Sequence, residues 1–389
     1  MKIRSPRLPE PIRLSLLTLA IATGCDAPQR PAEAVTMPRP APPQAAPAAA
    51  KAAAPKADRL TLVAGGDVSF GRLVGQILLR EPERALFAPM EALLRSADVR
   101  FVNLECPISD QGKETVSPEN NLVFNGPPAS ANALVRAGIT VVSTANNHAW
   151  DYGKPAMLET LTHLDRAGVL HAGTGGTIEE ARRPAIVDHE GFRLAILAVT
   201  DVWNQGALSK HPGREFVASA DSSELTGAVR ALRAEGKVDA IVVSYHGGEE
   251  YRDDPLPTTR ALAEAVIDAG ADAFLGHHPH VAQGIAFRAG KPIVYSMGNL
   301  LMRMHSGHPE TEMGLVVRLE LLRGGDKPKL WACPVRIQGI EPIPLGADPR
   351  RSANEGRFFG RLTALSRRVG DATFGAVGAD GCAPVTPPG

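Results

Sequence analysis

From about residue 60 onward, short apolar runs alternate with amphipathic stretches. The runs are "LTLVAG" (60–65), "VRFVNLE" (99–105), "ITVVSTA" (139–145), "RLAILAVT" (193–200), "DAIVVSYH" (239–246), "DAFLGHH" (272–278) and "KPIVYSM" (291–297). They are short, rich in β-branched side chains and bounded by turn formers, which predicts buried strands. Between them, apolar residues recur with helical spacing over 85–97, 130–137, 154–167, 224–234 and 258–269. The stretches 314–324 and 329–346 carry no helix between them and predict an antiparallel pair. The pattern therefore gives an α/β class: a layered domain over 59–346 that ends in an antiparallel meander. A helix is expected over 347–370 and a loose tail over 371–389, where "GADGCAPVTPPG" has no core-forming pattern.

Ahead of residue 59 the pattern changes twice. Residues 1–24 carry a basic stretch (Lys2, Arg4, Arg7, Arg13), the apolar core "LSLLTLAIA" and then Thr23-Gly24. An apolar run far short of the roughly 20 residues of a spanning helix reads as a secretory signal peptide. "IATGC" resembles a bacterial lipobox, which implies cleavage before Cys25 and lipidation of that cysteine as the membrane anchor. Ala22 stands where leucine is commonest, so ordinary secretion with a free Cys25 is the other reading. Residues 25–58 are Pro/Ala-rich and read as an extended tether.

The placement of polar residues carries the chemistry. Asp67 follows the first run, Asn103 and Glu105 lie on the second, and Asn146, Asn147 and His148 follow the third. His246 ends the fifth, and His277, His278 and His280 close the sixth. The C-terminal edge of such a sheet is where ligands bind, so one cleft can gather them. Taken singly, Asp67 reads as a helix cap, the asparagines as turn formers and the histidines as interior residues. Together, carboxylates, an amide and several imidazoles are the donors that borderline divalent ions accept, whereas the absence of thiolates argues against a tetrahedral structural zinc. Two such ions need a bridging carboxylate and two or three further ligands each.

Six ordered stretches extend this: "GGDVSFGR" (65–72), "VNLECPI" (102–108), "ANNHAWDYG" (145–153), "SYHGGEEY" (244–251), "GHHPHVAQG" (276–284) and "YSMGNLL" (295–301). On these the chain resembles the bacterial capsule-synthesis CapA family, also called the poly-γ-glutamate synthesis family, which is similar in fold to the calcineurin-like metallophosphatases. The resemblance implies a layered α/β/β/α sandwich and two divalent ions of manganese, zinc, iron or magnesium. It implies Asp67, Glu105, Asn147, His246, His278 and His280 as ligands, Glu105 bridging, and His148 as an acid oriented by Asp151. His277, Asn103 and Asn146 stand as further ligands or as residues that orient ligands. In strand-to-loop geometry His278 and His280 share a side and His277 points away unless the loop bends. Glu250, Tyr251 and Asn299 are expected on the substrate wall, and His305 and His308 near the cleft. The chain departs from the pattern at Ser69, where the wider metallophosphatases have histidine, at Gly247, and at Leu300.

Two functions follow as expectations. One is a metal-dependent hydrolase of a phosphoester or a γ-linked amide; the other is a non-catalytic accessory subunit that holds the polymer or its precursor. Expected partners are the membrane through Cys25, an anionic polymer or phosphorylated substrate, and the capsule synthesis machinery, at the cell envelope facing the periplasm or exterior. No GxxxxGK[ST] loop is present for a stand-alone ligase. With 42 basic and 42 acidic residues there is no nucleic-acid footprint. Beyond Cys25 the cysteines are Cys106, Cys333 and Cys382. Cys333 with Cys382 is the preferred pair because Cys106 lies in the candidate site, although spacing alone does not fix it.

Overall fold

Alternate residues of the first apolar run serve different layers: Leu62 and Ala64 pack into the core between two sheets, while Val63 packs outward against helices. The structure is a computed structural model that describes residues 56–111, 115, 122–204, 210, 214–302, 304 and 307–389. The expected signal peptide, Cys25 and all of the tether up to residue 55 lie outside the described residues. Ala57 already donates its backbone N–H to Glu190 O at 3.0 Å, so the end of the expected tether belongs to the domain.

The first four strands are β1 (Arg59–Val68), β2 (Val99–Leu104), β3 (Val141–Ser143) and β4 (Leu170–Ala172), parallel neighbours in that order. The next six form a second sheet: β5 (Ala185–His189), β6 (Phe192–Thr200), β7 (Ala240–His246), β8 (Ala273–His277), β9 (Ile285–Arg288) and β10 (Lys291–Val294), ordered β5-β6-β7-β8-β10-β9. The chain then returns to the first sheet with β11 (Asn299–Leu301), β12 (Met313–Leu322), β13 (Lys329–Gln338), β14 (Glu341–Pro344), β15 (Thr373–Phe374) and β16 (Ala383–Thr386). The expected antiparallel pair is β12 with β13, running from Met313 opposite Arg336 to Glu320 opposite Lys329.

Leu60, Phe101 and Val141 of one sheet meet Leu194, Val242 and Leu275 of the other in the central core. Outside the first sheet, Val102 and Val142 pack with Val74, Leu134 and Leu164 of the helices Arg72–Arg80, Ala129–Arg136 and Gly153–Ala167. Outside the second, Ile241 and Phe274 pack with Val229 and Val266 of Ser222–Glu235 and Pro257–Asp268. The layers are thus α/β/β/α, as the resemblance implies. Fully burying one such branched or aromatic side chain contributes roughly 1.5–3 kcal/mol.

Two elements differ from expectation. Residues 85–97 form only a short 3-10 turn, Ala88–Met90, and the helix Glu91–Arg95, because Pro89 starts the turn late. The tail is not loose: β16 pairs with β13, Leu330 opposite Val385, and Cys382 forms a disulfide with Cys333. Only Ala383 and Val385 of this strand are buried, so its two-residue alternation, interrupted by Pro384, leaves little trace in the hydropathy pattern.

Candidate functional site

The site begins where β1 squeezes between neighbours. A Cβ on Gly66 would come within 1.9 Å of Gly298 O, so glycine is what lets β11 approach. The strand then sets Asp67 beside Asn103 of β2 and Asn299 of β11. Glu105 leaves the end of β2, Asn146 to His148 follow β3, His246 ends β7 and His277 ends β8. All of these side chains are buried. The chain turns sharply after β8, with positive φ at His278 (95°) and His280 (57°). This bend brings His278 and His280 to the cluster beside His277, the last residue of β8.

Glu105 is the shared member. Asp67, Glu105 and His246 form one group whose ligating atoms lie within 4.8 Å of one another, and Glu105, His278 and His280 form a second. Glu105 Oε1 is 3.7 Å from His246 Nε2 and 3.8 Å from His280 Nε2. Asn147 Oδ1 lies 2.7 Å from His246 Nε2, so the amide joins the first group's edge.

A ladder of amides aligns these donors. The His148 N–H donates to Asn146 Oδ1 (3.1 Å), and Asn146 Nδ2 donates to Leu104 O (2.7 Å) and Asn103 Oδ1 (3.3 Å). Asn103 Nδ2 in turn donates to Asp67 Oδ1 (2.8 Å) and lies 3.1 Å from His246 Nδ1. Asn103 thus holds Asp67 and His246 in place, and Asn146 holds Asn103. Asn147 Nδ2 donates to Asn204 Oδ1 (3.1 Å), which turns Asn147 Oδ1 toward His246.

The electrostatics fit a divalent cation. Both oxygens of Glu105 are buried with no hydrogen-bond partner among the described residues, as is Nδ1 of His278. Burial, then the Asp67 carboxylate, push Glu105 well above the usual carboxylate range. Burial also acts on Asp67, but His277 beside it, with His246 and His280, holds that carboxylate below the usual range. Burial and His278 push His246 well below its usual value, and burial with His280 takes His278 down to about 3. With His246 and His278 neutral, an ionised Glu105 beside the Asp67 carboxylate is short of positive charge, and an uncompensated buried ion costs several kcal/mol. A bound divalent ion supplies that charge through donors of the type it prefers.

His148 is set apart from this cluster by its own partner. Its Nδ1 lies 2.7 Å from Asp151 Oδ2, which also accepts the Phe124 N–H at 2.7 Å, and the rings of Phe124 and His148 are 4.5 Å apart. The imidazole is thereby fixed at one nitrogen and packed on one face.

Residues 61–304 match the family described as bacterial capsule synthesis protein PGA_cap. The chain belongs to this family. It is 29% identical over 311 residues to capsule biosynthesis protein CapA of Bacillus anthracis, across 79% of this chain and 73% of that one. It is 30% identical over 286 residues to the PGA biosynthesis protein CapA of Bacillus subtilis, across 73% of each chain. Among solved structures it is similar to the calcineurin-like phosphoesterase YfkN from Bacillus subtilis, with 13% identity and a TM-score of 0.44 over 81% of this chain and 99% of that one. The PGA_cap match runs from the third residue of β1 past β11, and so spans every residue of the cluster, but stops before the β12–β13 pair.

Within this PGA_cap chain one expectation, that for Asn299, changes. The loop does bend, and His277 faces the cluster, its Nδ1 3.3 Å from Asp67 Oδ1. Asn299 is no substrate wall; it is buried behind the cluster, with Oδ1 2.9 Å from His280 Nδ1 and Nδ2 donating to Thr311 O at 3.1 Å. Ser69, in place of a histidine, is buried and accepts the Gly71 N–H at 3.3 Å, so it offers the cluster no ring. Glu250 is exposed, and Tyr251 lies with its ring 6.3 Å from that of His280 and stacked on His308 at 4.4 Å. His305 lies outside the described residues. Asn204 and Phe124 escaped the sequence reading, since neither stands in a motif and both act through tertiary contacts.

Proposed function

We propose that this protein is a hydrolase of capsule formation that holds two divalent ions around Glu105 and cleaves a phosphoester, or a γ-amide of an anionic polymer. One observation carries the reading: Glu105, buried with both oxygens unpartnered among the described residues, belongs to both ligand groups. A carboxylate that faces cations on both sides answers that arrangement. Asp67, Asn147 and His246 complete one side and His278 and His280 the other; the ions are of manganese, zinc, iron or magnesium. When bound, they supply an activated water and neutralise charge on the attacked group. Asp151 holds His148 by Nδ1, which leaves Nε2 to pass a proton to the leaving group. Asn103 and Asn299 keep the ligands aimed. Metal analysis of the full chain, with turnover of p-nitrophenyl phosphate before and after chelation, tests this. The expected result is about two ions per chain and loss of turnover on chelation; a metal-free protein with no effect of added Mn²⁺ or Zn²⁺ contradicts it.

A second reading is a non-catalytic accessory subunit, favoured by the names of both CapA relatives, which record biosynthesis. It expects polymer output to survive His148→Ala. In either case residues 1–58 are proposed to place the domain at the cell envelope through a lipidated Cys25, facing the periplasm or exterior and within reach of the synthesis machinery.

A further inference from the structure

The first motif ends in an arginine to which nothing above gives a role. Arg72 follows β1 by four residues and opens the helix Arg72–Arg80 with φ of 49°, a left-handed conformation that a side chain with a Cβ rarely adopts. Its N–H donates to Thr115 O at 2.8 Å and its carbonyl accepts from Thr115 Oγ1 at 2.8 Å, so the backbone is clamped on both sides. Strained positions held this way concentrate at functional sites. The guanidinium carbon lies 4.4 Å from the centre of the Phe124 ring, the ring that packs on His148. Burial lowers the guanidinium's pKa and the nearby Tyr251 phenol raises it; Tyr251 is the ring beside His280. A hollow of about 40 Å³ is bounded by Ser69, Gly71, Arg72, Phe124 and Met302, among others. It lies at Ser69, where the wider metallophosphatase pattern has an imidazole.

We propose that Arg72 determines substrate class, its guanidinium receiving a non-bridging oxygen of a phosphoryl group presented to the Glu105 cluster. This rests on the hydrolytic reading above and narrows it from phosphoester or amide to phosphoester. The planar fork of arginine matches two phosphoryl oxygens, whereas lysine offers a single point of charge.

The test is calorimetric titration of inorganic phosphate into the Mn²⁺-loaded full chain, beside Arg72→Ala, Arg72→Lys and Arg72→Asn, with metal content measured for each. Asn tolerates the left-handed backbone and keeps the test open if Ala does not fold. The expected result is phosphate binding to the wild type, weakened tenfold or more in Ala and Asn and less in Lys, at unchanged metal content. Equal phosphate affinity in wild type and variants, or none in the wild type, overturns the proposal. So does glutarate showing the Arg72 dependence that phosphate lacks. Arg72-dependent phosphate binding without any phosphoester turnover sinks the hydrolytic reading alone, whereas turnover with Arg72-independent binding sinks the Arg72 assignment alone.

Discussion

Asn299 Oδ1 accepts a hydrogen bond from His280 Nδ1 at 2.9 Å while Asn299 Nδ2 donates to Thr311 O. The second bond fixes which way the amide faces, so the first fixes the tautomer: His280 carries its hydrogen on Nδ1 and keeps a lone pair on Nε2, 3.8 Å from Glu105. Partners of this kind change metal affinity about 10–100-fold when removed. Asn299→Leu is therefore expected to weaken metal binding by that factor in a competition titration with a chelating dye. It also leaves a buried donor and a buried carbonyl unsatisfied, at about 1–3 kcal/mol each, visible as a lower midpoint of urea denaturation.

The His148–Asp151 pair separates chemistry from metal binding. His148→Ala removes the proton donor and Asp151→Asn removes the group that orients it. Loss of general acid catalysis typically costs 10²–10⁴-fold. Both variants should lose phosphoester turnover on that scale while retaining wild-type metal content; metal loss in either would assign the pair a structural part in the cluster.

Chelated protein should respond to pH through His278. Burial and His280 take its folded value down to about 3 from an ordinary 6.5, so the unfolded chain binds more protons between those values. Its contribution to stability is full above about pH 6.5 and is lost as pH falls toward 3. Denaturation midpoints of chelated wild type should fall more steeply over this window than those of chelated His278→Gln. Glu105 runs the other way: its raised pKa means the folded chelated state keeps a proton that a cation must displace. Metal binding should therefore release protons and tighten as pH rises, measurable by calorimetry in buffers of different ionisation enthalpy.

Glu105→Gln gives opposite signs in two measurements. Replacing a buried acid whose oxygens have no hydrogen-bond partner among the described residues, and which burial makes costly to ionise, should raise the melting temperature of the chelated protein. The same change should reduce bound metal to less than half, since both groups lose their shared member.

Much of this was legible in the chain, for a physical reason. Strands such as β7, buried at every position, leave apolar runs whose polar last residues stand out, which is why His246 and the β8 histidines could be read as site residues. What stayed hidden lacks that contrast. In the helix Arg72–Arg80 the apolar spacing is broken by Gly75, needed because a Cβ there would meet Phe70 O at 2.5 Å. β4 and β5 have only one buried residue each, at Ala172 and Ala185. The side His277 faces stayed open because alternation along a strand does not foresee where the chain bends. Asn204 and Phe124 are defined only by what they touch.

The central claim is a pair of cations that share Glu105, and the most direct test is metal stoichiometry of the full chain beside His278→Ala with His280→Ala and beside Asp67→Ala with His246→Ala. The account predicts about two ions in the wild type and about one in each double variant, because each removes one group and leaves the other around Glu105. Equal metal content in all three proteins, or none in the wild type after loading with Mn²⁺ or Zn²⁺, would contradict it.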